Sequence, residues 1–288
     1  MRIAGTTKVT GLMGCPVAHS LSPLMQNAAF AHLGLDYCYV PFLVRPEDLA
    51  AALEAIRALN ISGMNVTVPH KERVMEHLDE VASEAREIGA VNTICNDGGR
   101  LVGYNTDAAG FMRALAEEGI EVRGMQVLII GAGGAARAVA HPLCREASFL
   151  HIYNRNRERA ESLRDHLARF SGTVRVASAE DMTGSGLGDI GLVINTTPLG
   201  LKTDDPLPLE PLFLRRGQWV CDLIYHETRL LREARLAGCK TMDGLGMLLW
   251  QGAYAFQLWT GAAAPVDIMR GALRRSRNHP EDSARDLP

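Results

Sequence analysis

The chain has 288 residues, 47% of them apolar and 22% charged, with 28 glycines and 13 prolines; this fits two globular domains or one large α/β unit and excludes disorder, collagen and coiled coil as global descriptions. Thirty basic against 33 acidic residues leave a formal charge of −3, too balanced for a protein that lives on contacts to a phosphate backbone. The six cysteines form no CxxC pair, the nine histidines form no HExxH motif, and the opening MRIAGTTKVT lacks the apolar core of a signal peptide, so the expectation is a reducing cytoplasm, with no disulfide framework and no metal site.

In chain order, a strand around Val9–Met13 precedes Ser22-Pro23, read as an N-cap with proline at the first helical position, and Gly34 supplies the stop. Tyr37–Val44 has the β-rich composition of a strand, and from Pro46 the residues Leu49, Leu53, Ile56 and Leu59 recur at helical spacing. Gly63–Val68 is strand-like again. Val91–Cys95 and Leu101–Tyr104 then flank Asn96-Asp97-Gly98-Gly99, a hairpin signal, and Asp107 is placed to cap a helix starting at Ala108.

A second alternation opens at Met125, where MQVLII is the continuous apolar run of a parallel strand covered on both faces. Further strands are predicted at Phe149–Tyr153, Val174–Val176, Gly191–Ile194 and Trp219–Cys221, with helices at Ala135–Cys144, Glu158–Phe170 and Arg229–Ala237. This is the grammar of a doubly wound α/β domain. Residues 244–266 carry no charge over a length that could span a bilayer, but Gln251, Gln257, four glycines and Pro265 favour a buried soluble helix that returns to the first domain. Beyond Arg274 the chain reads as a polar tail. The expected division is 1–107 with 247–276 as a substrate domain, 108–246 as a Rossmann-like dinucleotide domain, and 277–288 as the tail.

The turn Gly131-Ala132-Gly133-Gly134-Ala135-Ala136 follows a predicted strand and opens a predicted helix, which is the context a GxGxxA fingerprint requires. Gly131 permits the turn, Gly133 lets backbone amides approach a pyrophosphate, Ala136 keeps helix and strand close, and the helix N-terminus offers its unpaired N–H groups. At the end of the next strand the sequence reads Asn154-Arg155-Asn156-Arg157-Glu158-Arg159, with none of the acidic residues that NAD enzymes place there for the ribose. Guanidinium groups bind a 2′-phosphate well, and three cations at a helix start oppose its dipole unless a ligand charge meets them. NADP is therefore the expected cofactor.

The first domain concentrates polar residues at predicted strand ends. The motifs GCPVAHSLSP at 14–23, GMNVTVPHK at 63–71, GAVNTI at 89–94, YNTD at 104–107, GAGGAAR at 131–137, NTTP at 195–198, DLIY at 222–225 and DGLGMLLWQGAYAF at 243–256 occur in order, and through them the chain resembles the shikimate dehydrogenase family from about residue 10 to 260. The resemblance implies reversible NADP-linked reduction of 3-dehydroshikimate to shikimate, on the way to chorismate and the aromatic amino acids. It implies two α/β domains with the active site in the cleft between them. Ser20, Ser22 and Tyr225 would hold the substrate carboxylate; Asn65, Thr67, Asn92, Asp107 and Gln251 would surround the ring; and Lys71 and Asp107 would be the catalytic pair. The cofactor would lie on Gly131, Ala132, Gly133, Gly134 and Ala135, on Asn154, Arg155, Asn156, Arg157, Glu158 and Arg159, and at its nicotinamide end on Leu223 and Gly244.

One proton-transferring group is needed beside the reacting oxygen, and Lys71 can fill that place either as general base or as a permanently charged donor. Where many members of the family have His-Asn, this chain has Gln26-Asn27, and glutamine there also occurs in a quinate/shikimate branch with relaxed NAD or NADP use. That branch is one alternative, and a non-catalytic ligand-binding homologue on the same fold is another. His19 and His70 read as structural. A small-molecule substrate, neither nucleic acid nor membrane, is the expected partner, for a monomer or a homodimer.

Overall fold

The structure is a computed structural model that describes residues 3–183, 187 and 189–278. The chain divides into two compact units, Met1–Gly110 with Leu248–Pro288, and Phe111–Met247.

The first unit is built on β1 (Lys8–Gly14), β2 (Tyr37–Leu43), β3 (Gly63–Val66), β4 (Glu80–Val81), β5 (Thr93–Asp97) and β6 (Arg100–Tyr104), in the order β2-β1-β3-β5-β6-β4. β1 pairs parallel with β2 and β3, and β5 runs antiparallel to both of its neighbours, β3 and β6. The helices are α1 (Ser22–His32), α2 (Leu49–Ala58), α3 (Ser83–Ile88) and the first turn of α4 (Asp107–Glu117). Leu49, Leu53 and Ile56 turn inward onto Met64, Val66 and Ile94, as the helical spacing requires. The predicted helix is shorter than its periodicity: Pro46–Asp48 form a 3₁₀ turn and Leu59 lies beyond α2, 71% exposed. Between Asp97 and Arg100 the hairpin turns on Gly98 and Gly99, both at positive φ (58° and 97°), which side chains resist and glycine accepts.

The second unit carries β7 (Gln126–Ile130), α5 (Gly134–Glu146), β8 (Phe149–Tyr153), α6 (Arg157–Leu167), β9 (Val174–Val176), β10 (Ile190–Asn195), β11 (Trp219–Asp222), α7 (Arg229–Leu236) and β12 (Lys240–Met242). Its sheet is parallel throughout, ordered β12-β11-β10-β7-β8-β9. The order reverses between β7 and β10, so the loops after these two strands border the switch point at which doubly wound sheets take their ligands. Val127, Leu128 and Ile129 are fully buried, as a strand covered on both faces demands.

Helix α8 (Leu245–Thr260) returns the chain to the first unit, and α9 (Val266–Asn278) follows. Trp259 of α8 donates its indole N–H to Ile94 O at 3.0 Å, over Gly63, where any Cβ would overlap the indole. The polar stretch read as tail from Arg274 is therefore helical as far as Asn278, and residues 279–288 lie outside the described residues. Among the described residues no helix is long and apolar enough to cross a membrane.

Candidate active site

In the first unit the polar residues of the sequence motifs converge on the ends of β3, β5 and β6 and on the start of α4. Thr67 follows β3 and donates its N–H to Met13 O at 2.9 Å; His70 N–H then closes a turn on Thr67 O at 2.9 Å and brings up Lys71. Lys71 O accepts from Val91 N–H at 2.8 Å, which fixes the backbone beneath the side chain. Lys71 Nζ lies 2.5 Å from Asp107 Oδ2, with the two side chains 14% and 6% exposed. This is a charge pair held away from most of the solvent.

Asp107 is the first residue of α4, so its carboxylate sits at the positive end of the helix dipole. The cap predicted for it belongs to Asn105 instead. Asn105 Oδ1 accepts from the N–H groups of Asp107 (3.0 Å) and Ala108 (3.2 Å), and Nδ2 donates to Ala90 O at 2.9 Å. The carboxylate of Asp107 is thereby released from capping to meet Lys71. A similar displacement occurs at α1, which already includes Ser22: the flanking residue is Leu21, no side chain caps it, and Ser20 Oγ accepts from Ser22 N–H at 3.3 Å. Ser20 is half-buried and Ser22 buried.

Asn92 anchors the centre of the cluster. Its Oδ1 accepts from Thr106 N–H at 2.7 Å and Thr93 Oγ1 at 3.0 Å, while Nδ2 donates to Thr106 Oγ1 at 2.9 Å and reaches Gln251 Oε1 at 3.4 Å. Gln251, on α8, donates to Leu248 O at 2.8 Å. It can approach because α4 carries Gly110, where a Cβ would lie 2.7 Å from Gln251 N. Asn65 joins through Thr93 Oγ1 at 3.0 Å and Asn92 O at 3.2 Å. The structure thus brings Asn65, Asn92 and Gln251 into one network and pairs Lys71 with Asp107. Thr93, Thr106, Asn105 and Gly110 belong to the same construction; the first three stood inside the quoted motifs without an assigned role.

Gln26 is fully buried in α1 and donates to Gly252 O at 2.9 Å. It meets the α8 backbone one residue from Gln251. His70 is also buried, its Nε2 on Val44 O at 2.8 Å, which is an anchoring role. His19 is exposed.

In the second unit Gly131 has φ +117°, and a Cβ there would overlap Thr196 Oγ1, which itself donates to Ile130 O at 2.8 Å. The glycine therefore serves the turn and also the approach of the 195–198 loop. Gly133 flanks α5 in extended backbone without a side-chain cap, and nothing lies within 4 Å of where its Cβ would be. An uncapped helix start facing open space is what a pyrophosphate needs. Ala132 is buried.

Beyond β8, Asn156 caps α6 by accepting from Arg159 N–H at 3.1 Å, and Asn154 donates to Asn156 O at 2.7 Å. Arg155, Arg157, Glu158 and Arg159 are exposed. Arg157 pairs with Glu161 at 2.8 Å, and Glu158 adds a carboxylate to the first turn. The cations inside α6 are thus offset within the helix, which removes the dipole argument for a ligand there. Arg155 precedes the cap and is the guanidinium that argument leaves for a 2′-phosphate. These residues fit a phosphorylated dinucleotide.

At the far end of the sheet, Leu223 N–H donates to Asn195 O at 3.0 Å, and Gly244 N–H donates to Ile224 O at 2.9 Å, so close that a Cβ on Gly244 would overlap Leu223 O. Asp222 organises this corner, although nothing in the motif DLIY singles it out from its neighbours. Its oxygens accept from Thr228 Oγ1 at 2.7 Å, Asn195 Nδ2 at 3.0 Å and Ile224 N–H at 3.3 Å, and burial raises its carboxyl to about 6 against these hydrogen bonds. Tyr225 follows in the same unit, partly exposed.

Comparison with known proteins bears on both units. Residues 12–94 match a family described as the shikimate dehydrogenase substrate binding domain, 114–190 one described as shikimate / quinate 5-dehydrogenase, and 244–274 the shikimate 5′-dehydrogenase C-terminal domain. A shikimate dehydrogenase (NADP(+)) of Desulforamulus reducens is 49% identical over 95% of this chain and 97% of its own. Among solved structures, the shikimate 5-dehydrogenase of Thermus thermophilus in complex with NADP(H) and shikimate superposes with a TM-score of 0.83 at 39% identity, over 94% of this chain and all of that one. A quinate dehydrogenase from Corynebacterium glutamicum in complex with NAD gives 0.85 at 31% identity, over 93% of this chain and 99% of that one.

Proposed function

The chain belongs to the shikimate dehydrogenase family, and from that footing we propose that it catalyses the reversible NADP-linked interconversion of shikimate and 3-dehydroshikimate. The observation that carries this reading is the Lys71–Asp107 pair at the start of α4, next to the amide and hydroxyl cluster of Asn65, Asn92, Thr106 and Gln251.

NADP supplies or accepts the hydride when bound. The Gly131–Ala135 turn and the start of α5 would hold its pyrophosphate, Arg155 its 2′-phosphate, and Leu223 and Gly244 would line the place of its nicotinamide end. Lys71, paired with Asp107 at 2.5 Å, gives a proton to the oxygen of the ketone as negative charge develops there, and Asp107 keeps its Nζ aimed. Ser20, Ser22 and Tyr225 take the carboxylate; Asn65, Thr67, Asn92 and Gln251 take the ring hydroxyls. All six cysteines are free, which supports a cytoplasmic enzyme, and it works as a monomer or homodimer on a small molecule.

The test is reduced-nicotinamide absorbance with shikimate and quinate crossed against NADP⁺ and NAD⁺. Turnover confined to shikimate with NADP⁺ is the expected result. Comparable rates with quinate or NAD⁺ would move the chain to the broader branch, and silence in all four would leave a ligand-binding homologue.

A further inference from the structure

Tyr39 is 1% exposed on β2, and its hydroxyl lies 2.8 Å from Asn65 Oδ1, across β1. Its backbone is clamped by Asn27 of α1, whose Oδ1 accepts from Tyr39 N–H at 2.8 Å and whose Nδ2 donates to Tyr39 O at 2.9 Å. The ring packs against Trp259 at 5.9 Å between centroids. The phenol is therefore immobilised at both ends.

The orientation of the Asn65 amide follows from its partners. Nδ2 faces Asn92 O at 3.2 Å and Thr93 Oγ1 at 3.0 Å. A backbone carbonyl only accepts, so turning the amide over would set oxygen against oxygen. Both N–H bonds are thus committed, and Oδ1 must face Tyr39, whose hydroxyl donates to it. One lone pair on Oδ1 is all that Asn65 has left to offer.

We propose that Tyr39 is a positioning residue for the substrate: with the amide already turned by Asn92 O, the Tyr39 hydroxyl occupies one lone pair of Asn65 Oδ1 and pins that oxygen in place, so that Asn65 offers a ligand a single aimed acceptor, selecting a hydroxyl that donates. This rests on the assignment of Asn65 to the substrate made above. Neither the fold nor the cofactor turn calls for a phenol at this position, since phenylalanine would fill the same space.

The experiment is a double-mutant cycle of Tyr39→Phe and Asn65→Ala, read as KM for shikimate, KM for NADP⁺ and kcat, with melting temperature as the folding control. Once Oδ1 is no longer pinned, the hydrogen bond it makes to the substrate hydroxyl is lost or weakened, which predicts that Tyr39→Phe raises KM for shikimate about tenfold, leaving KM for NADP⁺ and kcat within about twofold. In the Asn65→Ala background the same substitution has no further effect. Asn65→Ser takes the place of the alanine variant if the latter does not fold. An unmoved KM in Tyr39→Phe, or the same loss in both backgrounds, would overturn the proposal. Wild-type turnover of shikimate tests the parent reading separately: turnover with KM unmoved by Asn65→Ala sinks this inference and leaves that reading standing.

Discussion

Replacing Lys71 by methionine keeps an apolar stem and removes the ammonium that meets Asp107 Oδ2 at 2.5 Å. Asp107, with its side chain 6% exposed, is then left charged in a largely dry place. Removing one partner of a buried pair costs about 3–5 kcal/mol, and the partial exposure of Lys71 together with the helix dipole under Asp107 brings the expectation to about 2–3 kcal/mol. Asp107→Asn strands the opposite charge at a similar cost. The double variant strands neither, so its loss falls to about 1 kcal/mol and the two single costs fail to add by roughly 3–5 kcal/mol. Turnover behaves differently: all three variants lose about 10²–10⁴ in kcat, since the two that lack Lys71 have no proton donor, Asp107→Asn no longer aims it, and restoring charge balance supplies neither. Urea unfolding at 25 °C and initial rates with shikimate and NADP⁺ measure the two quantities on the same preparations. Additive stability losses, or a double variant that regains turnover, would refute the reasoning.

Four further outcomes follow from the same structure. Arg155→Ala raises KM for NADP⁺ about 10–100-fold and leaves KM for NAD⁺ unchanged, the loss of charge-assisted bonds to one phosphate; steady-state kinetics with both cofactors check it. Asn105→Ala removes the acceptor for the first two N–H groups of α4, costing about 1 kcal/mol in urea unfolding and lowering kcat through Asp107. Gly131→Ala meets both a positive φ and Thr196, so it destabilises by at least about 1–3 kcal/mol and abolishes cofactor binding, read by melting temperature and fluorescence titration. Asp222 and His151 set opposing pH terms. Burial raises Asp222 to about 6, so between about pH 4 and 6 the folded protein holds a proton the unfolded chain has lost, and stability falls as pH rises through that window, by up to about 3 kcal/mol. Burial, with Arg175, pushes His151 down to about 4, so its term rises with pH over about 4 to 6.5. Asp222→Asn therefore steepens the rise of melting temperature between pH 4 and 6, and parallel curves for variant and wild type would rule that out.

Legibility in the sequence tracked the strength of local signals. Val127, Leu128 and Ile129 announced a two-sided strand because every residue is apolar, and Gly98-Gly99 announced a hairpin because only glycine accepts its turn cheaply. The two-residue β4 and the three-residue β12 gave no such signal: each is too short for a period and is held by its neighbours in the sheet. The residues beyond Arg274 read as tail because they are polar and carry no apolar period, yet the backbone of α9 stays helical to Asn278.

The site shows the same division one level up. The motifs name the residues, but a motif cannot say which of two neighbouring polar side chains caps a helix and which is left for chemistry. Asn105 and Asp107 lie two apart and either could cap α4; a carboxylate spent on backbone N–H groups could not also hold Lys71. The fold resolves the competition by giving Asn105 a second tie, to Ala90 O, that orients its amide for the cap. Asn65 follows the same logic, since what it offers a ligand depends on Tyr39, 26 residues earlier and on another strand. Chemistry that depends on which hydrogen-bonding valences remain unused is written in tertiary contacts, and it becomes readable only when every donor and acceptor around the group has been placed.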